Sequence, residues 1–275
     1  MNSTAQPARH EDPELRFAFG RNWKSFLATL DDRRLKEARL RLCESLKRND
    51  LHGLRVLDVG SGSGLSSLVM YQLGAEVVSF DFDADSVTCT EELRKRHASE
   101  GSSWQILQGS ALDPDFMEGL GQFDLVYSWG VLHHTGAMWP ALELAAARVA
   151  PRGTLLLALY NDQGWRSSLW RVVKRFYCSG LPGRWAVGAV FYPLFALYAL
   201  VQDLRHFHPP GTYARQYVQK RGMSLFHDWR DWLGGYPFEV AKPEDVVRKL
   251  AAVGLALQRE TLTAGLGCNE FVFVR

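Results

Sequence analysis

A chain of 275 residues has room for one large α/β domain or two small ones, with ample core in either case. With 47% hydrophobic and 23% charged residues it has the make-up of a soluble globular protein, and a formal net charge of +2 argues against nucleic-acid binding driven by bulk electrostatics. The four cysteines, Cys43, Cys89, Cys178 and Cys268, form no CxxC pair. This argues against a structural zinc site or a disulfide framework and suits reduced thiols in a cytoplasmic protein.

The N-terminal stretch MNSTAQPARHEDPE is polar, has no apolar signal core, and reads as a disordered tail. From Phe17 to Lys47 the residues Leu27, Leu30, Leu35, Ala38, Leu42 and Leu46 recur at helical spacing. The segment TLDDRR marks a break and restart, with Asp31 or Asp32 as N-cap. At Leu51 the pattern changes. LRVLDVG reads as a short strand, followed by glycines and the helix LSSLVMYQLG, closed by Gly74. AEVVSFD is a second strand, SVTCTEELRKRHA a second helix, SWQILQGS a third strand, and FDLVYSWGVL a fourth that runs to His133 and His134. WPALELAAARVA is helical, Pro151 and Gly153 form a turn, and TLLLALYN is a fifth strand.

Strands alternating with helices of this length predict an α/β fold, a Rossmann-like doubly wound sheet that is mostly parallel. GLALQRETLTA and EFVFVR supply two more strands, an antiparallel pair at the C-terminal edge. The alternation stops between Asn161 and Lys242. The expected organisation is therefore a disordered tail and N-terminal cap helices over 1–50, a cofactor-binding core over 51–160, a helical, aromatic insertion over 161–242 serving as lid and acceptor site, and a return to the core over 243–275.

The most specific motif is VLDVGSGSG, Val56 to Gly64. Glycines at every second position after a buried strand allow a tight turn with no Cβ atoms in the way of a ligand, and the following helix aims its first N–H groups at that ligand. Asp81 ends the second strand about twenty residues on, where a carboxylate can bond both hydroxyls of a ribose. The spacing is GxGxG instead of GxGxxG, and Asp58 precedes it. A carboxylate there repels a pyrophosphate but suits a ligand with an amino group and a sulfonium charge. That points to S-adenosylmethionine (SAM), with S-adenosylhomocysteine as product.

VLDVGSGSG, VVSFDFD, LQGSALD and FDLVYSWGVLHHT resemble, in order and spacing, the motifs of class I SAM-dependent methyltransferases, above all the bacterial quinol- or menaquinone-type methylases. The resemblance covers roughly Leu51 to Tyr160. It implies that Gly60, Gly62 and Gly64 face the methionine part of SAM and that Asp81 holds the ribose. It also implies that Phe82 packs on the adenine while Ser110, Ala111 and Leu112 line its edge. Ser110 replaces the acid common in relatives, leaving that contact to backbone groups or Asp113. Ser61 in the loop and Trp129 at the end of the fourth strand are counted with the cofactor site.

His133 and His134 fall where the sulfonium methyl would lie, beyond the strand ends at the switch point. As neighbours on a strand they point to opposite faces and would chelate one metal ion poorly, so no metal site is expected. One of them, as base or orienter, can take the proton that a hydroxyl acceptor must lose. The other has a structural role. Tyr160 and Asn161, on the same rim, are candidates for the acceptor, with the alternatives of a strand-end tyrosine and a helix N-cap. Trp232 and Tyr236, around Gly234 and Gly235, suggest an aromatic wall. Asp228, Asp231 and Glu239 are acids that could meet a polar acceptor, and in so arginine-rich a segment the first reading is that they cap or pair with Arg221 and Arg230.

Trp185 to Gln202 carries no charge. Interrupted by Gly188 and Pro193, it is a poor lone membrane span. A lid helix is the first reading. Peripheral membrane contact through 165–205 is the second, favoured by Arg166, Arg171, Lys174 and Arg175 among aromatics. Nucleic acid is the weaker reading. The expected function is transfer of the SAM methyl to a small, lipophilic or aromatic acceptor, at oxygen. N-, S- or C-methylation of another small molecule or of RNA is the enzymatic alternative, and a catalytically silent SAM-binding partner the non-enzymatic one.

Overall fold

The structure is a computed structural model and describes residues 30–99, 101–221 and 225–275. The expectations for the N-terminal tail and for the helix over Phe17–Thr29 lie outside the described residues. Helix α1 spans Asp32–Leu46, capped by Asp31, whose carboxylate accepts from Arg34 N at 2.9 Å.

From there strand and helix alternate: β1 (Arg55–Val59), α2 (Leu65–Gln72), β2 (Glu76–Asp81), α3 (Ala84–His97), β3 (Trp104–Gln108), α4 (Pro114–Gly119), β4 (Phe123–Trp129), α5 (Met138–Ala146) and β5 (Val149–Tyr160). Four helices follow, α6 (Trp165–Cys178), α7 (Leu181–Arg205), α8 (Thr212–Arg221) and α9 (Leu225–Gly234). The chain then returns through α10 (Pro243–Ala251), β6 (Ala256–Thr261) and β7 (Cys268–Val274).

The sheet order is β3-β2-β1-β4-β5-β7-β6. Strands β1 to β5 pair in parallel, and β7 runs antiparallel between β5 and β6. The expected antiparallel edge is present, built from the two C-terminal strands. Alternate residues along each strand serve opposite faces. Val56, Val77 and Leu125 pack beneath α1, α2 and α3. Leu57, Val59, Val78 and Phe80 pack beneath α4, α5 and α10. With both faces covered, the ligand-binding edge is at the carboxyl ends of the strands, where order reverses between β1 and β4.

Two elements differ from expectation. Pro151 and Gly153 do not form a turn ahead of the fifth strand. They lie in β5, where the register against β4 shifts between Phe123 and Leu125 and Arg152 takes φ +66°. The extra residues are absorbed as a bulge, which keeps Leu155, Leu157 and Leu159 buried. His133 and His134 are not on β4. The strand stops at Trp129, Gly130 turns with φ +76°, and Leu132–His134 form a 3-10 turn.

Candidate active site

The loop after β1 is built by backbone geometry. Gly60, Gly62 and Gly64 have φ of +80°, +55° and +80°. The N–H groups of Gly60 and Ser61 donate to Phe80 O at 2.9 and 3.0 Å, tying the loop to β2. Space forbids side chains as well: a Cβ on Gly64 would lie 2.9 Å from Thr90 Cα. Ser61 spends its hydroxyl on Thr90, 3.0 Å away, so its contribution to the loop is structural.

Asp58 is buried beneath this loop. Ser67 Oγ donates to it at 2.5 Å, Ser79 Oγ donates to Ser67 at 2.8 Å, and Trp104 Nε1 donates to Ser79 at 2.7 Å. Burial pushes the Asp58 carboxyl up to about 7 despite the Ser67 hydrogen bond, with the nearby Asp81 charge adding to the rise. The three supporting residues were not anticipated. Serines at positions otherwise filled by buried apolar residues are the only sequence signal for them.

Asp81 ends β2 and accepts from Gly62 N and Asp83 N, both at 2.9 Å. Burial raises its pKa, and those hydrogen bonds lower it. The Phe82 ring, 57% exposed, presents a flat apolar face next to it. Ser110 Oγ accepts from Leu112 N at 3.1 Å, and Ala111 is buried. Asp113 caps α4 through Asp115 N and Phe116 N, so it is committed to the helix and not to an adenine. Trp129 is turned towards β7, where its Nε1 donates to Glu270 at 3.0 Å.

These residues fit SAM. A buried carboxyl can meet an amino cation, a glycine cradle leaves no room for Cβ atoms, a carboxylate stands at the strand end for a ribose diol, and an exposed ring is available for a base. A pyrophosphate would meet Asp58.

The histidine turn lies beside the cradle. A Cβ on Gly60 would lie 2.3 Å from Val131 Cγ1, one residue before the turn. Both imidazoles belong to one aromatic cluster, which corrects the expectation of opposite faces: their centroids are 4.5 Å apart, and Tyr160 lies 3.9 Å from His133 and 5.4 Å from His134. A 3-10 turn, with its smaller angular step, replaces the two-residue period assumed for a strand.

His133 is fully buried. Its Nδ1 accepts from Tyr160 N at 3.2 Å, and its Nε2 is buried with no partner among the described residues. Desolvation, with the electrostatic influence of the neighbouring His134 and Lys174 adding to it, holds its pKa well below the usual histidine range. His134 is half-buried and its Nδ1 is 2.6 Å from Pro237 O. A carbonyl only accepts, so Nδ1 carries the hydrogen and Nε2 is the basic nitrogen. Among the described residues no group of three or more His, Cys, Asp or Glu could hold a metal ion.

The insertion supplies the rest of this wall. Tyr160 packs against Trp232 and Phe238 at 6.1 and 5.2 Å. Tyr236 is 2% exposed, so it presents almost no surface to an acceptor. Asn161 holds its own sheet edge. Its Nδ2 donates to Thr263 O at 2.9 Å, its Oδ1 accepts from Asn269 at 3.1 Å, and the N-cap of α6 is Gly164. Glu239 accepts from Met138 N with both oxygens, capping α5, while its own N–H donates to His133 O at 2.9 Å. Asp228 accepts from Tyr217 Oη at 2.6 Å, and the side chain of Asp231 lies outside the described residues.

Lys174, expected on a basic surface, is fully buried. It donates to Trp232 O and lies 4.2 Å from the Trp232 ring centroid. Beyond Trp232 is a cavity of about 350 Å³ lined by Phe195, Tyr198, Tyr213, Tyr217, Trp229 and Trp232, with Asp228 and Leu225.

A doubly wound sheet with an antiparallel last strand, a glycine cradle after β1 and an acid ending β2 define a Rossmann-like methyltransferase architecture. Residues 26–230 match the family described as "Methyltransferase domain", and the chain belongs to the class I SAM-dependent methyltransferases, related to quinone-type methylases.

A ubiquinone biosynthesis O-methyltransferase of Xanthomonas oryzae pv. oryzae (strain PXO99A) is 31% identical over 166 residues, 58% of this chain and 67% of that protein. The protein of the same name from Rhodopseudomonas palustris (strain BisA53) is 29% identical over 132 residues, and the match spans 47% of this chain and about half, 48%, of that one. The fold is shared with magnesium protoporphyrin IX methyltransferase from Synechocystis PCC 6803 with bound SAH, at TM-score 0.54 and 15% identity over 88% of this chain and 83% of that one. It is also shared with the N-methyltransferase NodS from Bradyrhizobium japonicum WM9 in complex with SAH, at TM-score 0.50 and 14% identity over 94% and 98%.

Proposed function

We propose that this protein transfers the methyl group of SAM to a hydroxyl of a lipophilic aromatic acceptor of the quinol or phenol class, with His134 taking the hydroxyl proton. One observation carries the reading. The turn that holds His134 abuts the glycine cradle through Val131 and Gly60, and the Pro237 carbonyl fixes the tautomer that leaves Nε2 basic.

Bound SAM supplies an electrophilic methyl on a sulfonium. Asp81 and the glycine cradle would hold it, with Asp58 as the partner of its amino group. The aromatic wall of Tyr160 and Trp232 excludes water and aligns the acceptor ring for in-line attack. His134 Nε2 would take the proton that the acceptor hydroxyl gives up on accepting the methyl group and pass it to solvent, with S-adenosylhomocysteine as the other product. The aromatic cavity beyond Trp232 suits an apolar substituent on that ring, and relatives named ubiquinone biosynthesis O-methyltransferase support oxygen on a quinone-related ring.

Purified protein should turn over SAM with alkyl-substituted catechols or hydroquinols and be inactive with amines and thiols of the same bulk. SAM binding without turnover of any hydroxyl acceptor would overturn the reading and leave methylation at N, S or C and the silent-partner alternative.

A further inference from the structure

The helices α6 and α7 present an apolar surface that the fold does not use. On α6, Trp165, Leu169, Val172 and Phe176 recur at spacings of four, three and four, and all are exposed. On α7, Val190, Leu194, Leu197, Val201 and Leu204 form a second exposed stripe of the same period, preceded by Leu181 and by Trp185, which is 77% exposed. In the most apolar 18-residue window of α7 only 17% of the residues are buried. A lid helix packed over the sheet would show the reverse. Patches of this size on a soluble domain mark an interaction surface.

The charge on these two helices is one-sided. Arg166, Arg171, Arg175, Arg184 and Arg205 are all exposed. Between Trp165 and Arg205 the only acid is Asp203, which is buried and accepts from Gly211 N and Tyr213 N at 2.8 and 2.6 Å. The hairpin thus exposes five positive charges and no negative one, on a chain whose net charge is only +2.

From this surface we infer that α6 and α7 dock on the face of an anionic lipid bilayer, apolar stripes in the headgroup boundary and arginines against lipid phosphates. Long arginine stems can follow an apolar surface while their guanidinium groups stay at the phosphates, and tryptophans favour the same depth. Two other occupants fit less well. A symmetric second copy would bring five arginines towards five arginines. Spanning the bilayer would cost α7 its inner contacts, Phe191 with Trp170 of α6 at 5.3 Å and Phe195 with Trp229 of α9 at 5.4 Å, the second of which fastens the hairpin to the body of the protein.

Docking in this pose deepens the reading of a lipophilic acceptor without resting on it. The inner face of α7 contributes Phe195 and Tyr198 to the aromatic cavity, so one helix separates that cavity from the lipid. A lipophilic acceptor dissolved in the bilayer would have a short path to the site.

The full chain should be sedimented with vesicles of phosphatidylcholine alone and of phosphatidylcholine with phosphatidylglycerol in equal parts. Binding is expected to the anionic vesicles, weaker to the neutral ones and reduced by high salt. The double variant Arg166→Gln with Arg175→Gln should lose about 25-fold in partitioning, roughly fivefold for each charge. Leu194→Asp with Leu197→Asp should abolish binding, with unchanged circular dichroism and melting temperature showing that both variants are folded.

The inference is overturned by recovery in the supernatant with both vesicle types. It is equally overturned by a stable dimer that the leucine variant dissociates and that ignores lipid, or by a cellular membrane fraction that resists alkaline carbonate and so identifies a span. Vesicle binding is read without turnover, so its failure and the failure of the acceptor reading are separate results.

Discussion

Gly60 and Val131 meet across the carboxyl ends of β1 and β4, and the fit has no slack. A Cβ on Gly60 would lie 2.3 and 2.6 Å from the two Val131 methyl carbons, on a residue whose φ is +80°. The contact joins the cofactor cradle to the turn that holds both histidines, so the two halves of the site are positioned against each other by packing. Gly60→Ala should therefore move Val131, cost about 1–3 kcal/mol of stability through overpacking and strain, and weaken SAM binding. Adding Val131→Ala removes the two clashing methyls, so the double variant should recover part of the loss. Additive effects in a thermal-melt cycle would show that the contact is not the cause.

Asp81 holds the loop as well as any ribose. In this structure its carboxylate accepts from Gly62 N and Asp83 N. Asp81→Ala should weaken SAM by about 1–3 kcal/mol in calorimetry, because a charged acceptor is lost. Asp81→Asn should be milder, since an amide oxygen can still accept from one of the two N–H groups. Equal affinity in all three proteins would remove Asp81 from the cofactor site.

Asp58 should make cofactor binding depend on pH. Its carboxyl, near 7 in the fold and near 4 in an unfolded chain, holds its proton more tightly when folded. Its contribution to stability is therefore present below the ordinary carboxylate range and is lost as pH rises from about 4 through about 7. An amino cation at the carboxylate reverses the preference, so SAM binding below pH 7 must expel a proton. Affinity should fall by up to about tenfold per pH unit below 7, with proton release seen in buffers of different ionisation enthalpy. In Asp58→Asn affinity should be weak and flat with pH, while the ligand-free variant is at least as stable as the parent above pH 7. A flat profile in the parent would mean that Asp58 and the amino group never meet.

Much of this was legible in the chain. Strand and helix alternation, the glycine spacing and the acid ending β2 are local signals, and the described elements follow them from Asp32 onward. The histidines were located along the sequence but not in space. A two-residue period was extended past Trp129, and Gly130, free to take positive φ, ends the strand there. Lys174 was counted with its arginine neighbours. Only the tertiary placement of Trp232 and Phe238, some sixty residues on, creates the aromatic box that makes its burial tolerable. The Asp58 relay was invisible for the same reason, since Ser67, Ser79 and Trp104 come from three elements.

The two histidines should separate cleanly on substitution. His134 has its Nδ1 hydrogen committed to Pro237 O and its basic Nε2 in a half-buried turn beside the cradle. His134→Ala should lower turnover roughly 10²–10⁴-fold with SAM affinity little changed. The loss should shrink at high pH, where a phenolic acceptor ionises unaided. His133 is expected to be the structural partner. It stays neutral in the fold, accepts the Tyr160 N–H, and carries a depressed pKa. Its contribution to stability is therefore present above the ordinary histidine range and lost as pH falls below it. His133→Ala should cost about 1–3 kcal/mol through the orphaned Tyr160 N–H, and His133→Asn, whose oxygen can accept that hydrogen bond, should recover part of it. Turnover per folded molecule should stay near that of the parent. If His134→Ala keeps full turnover at neutral pH, the acceptor arrives already ionised or needs no deprotonation, and the base assignment falls. If His133→Ala instead abolishes turnover while its melting temperature is unchanged, the two roles are exchanged.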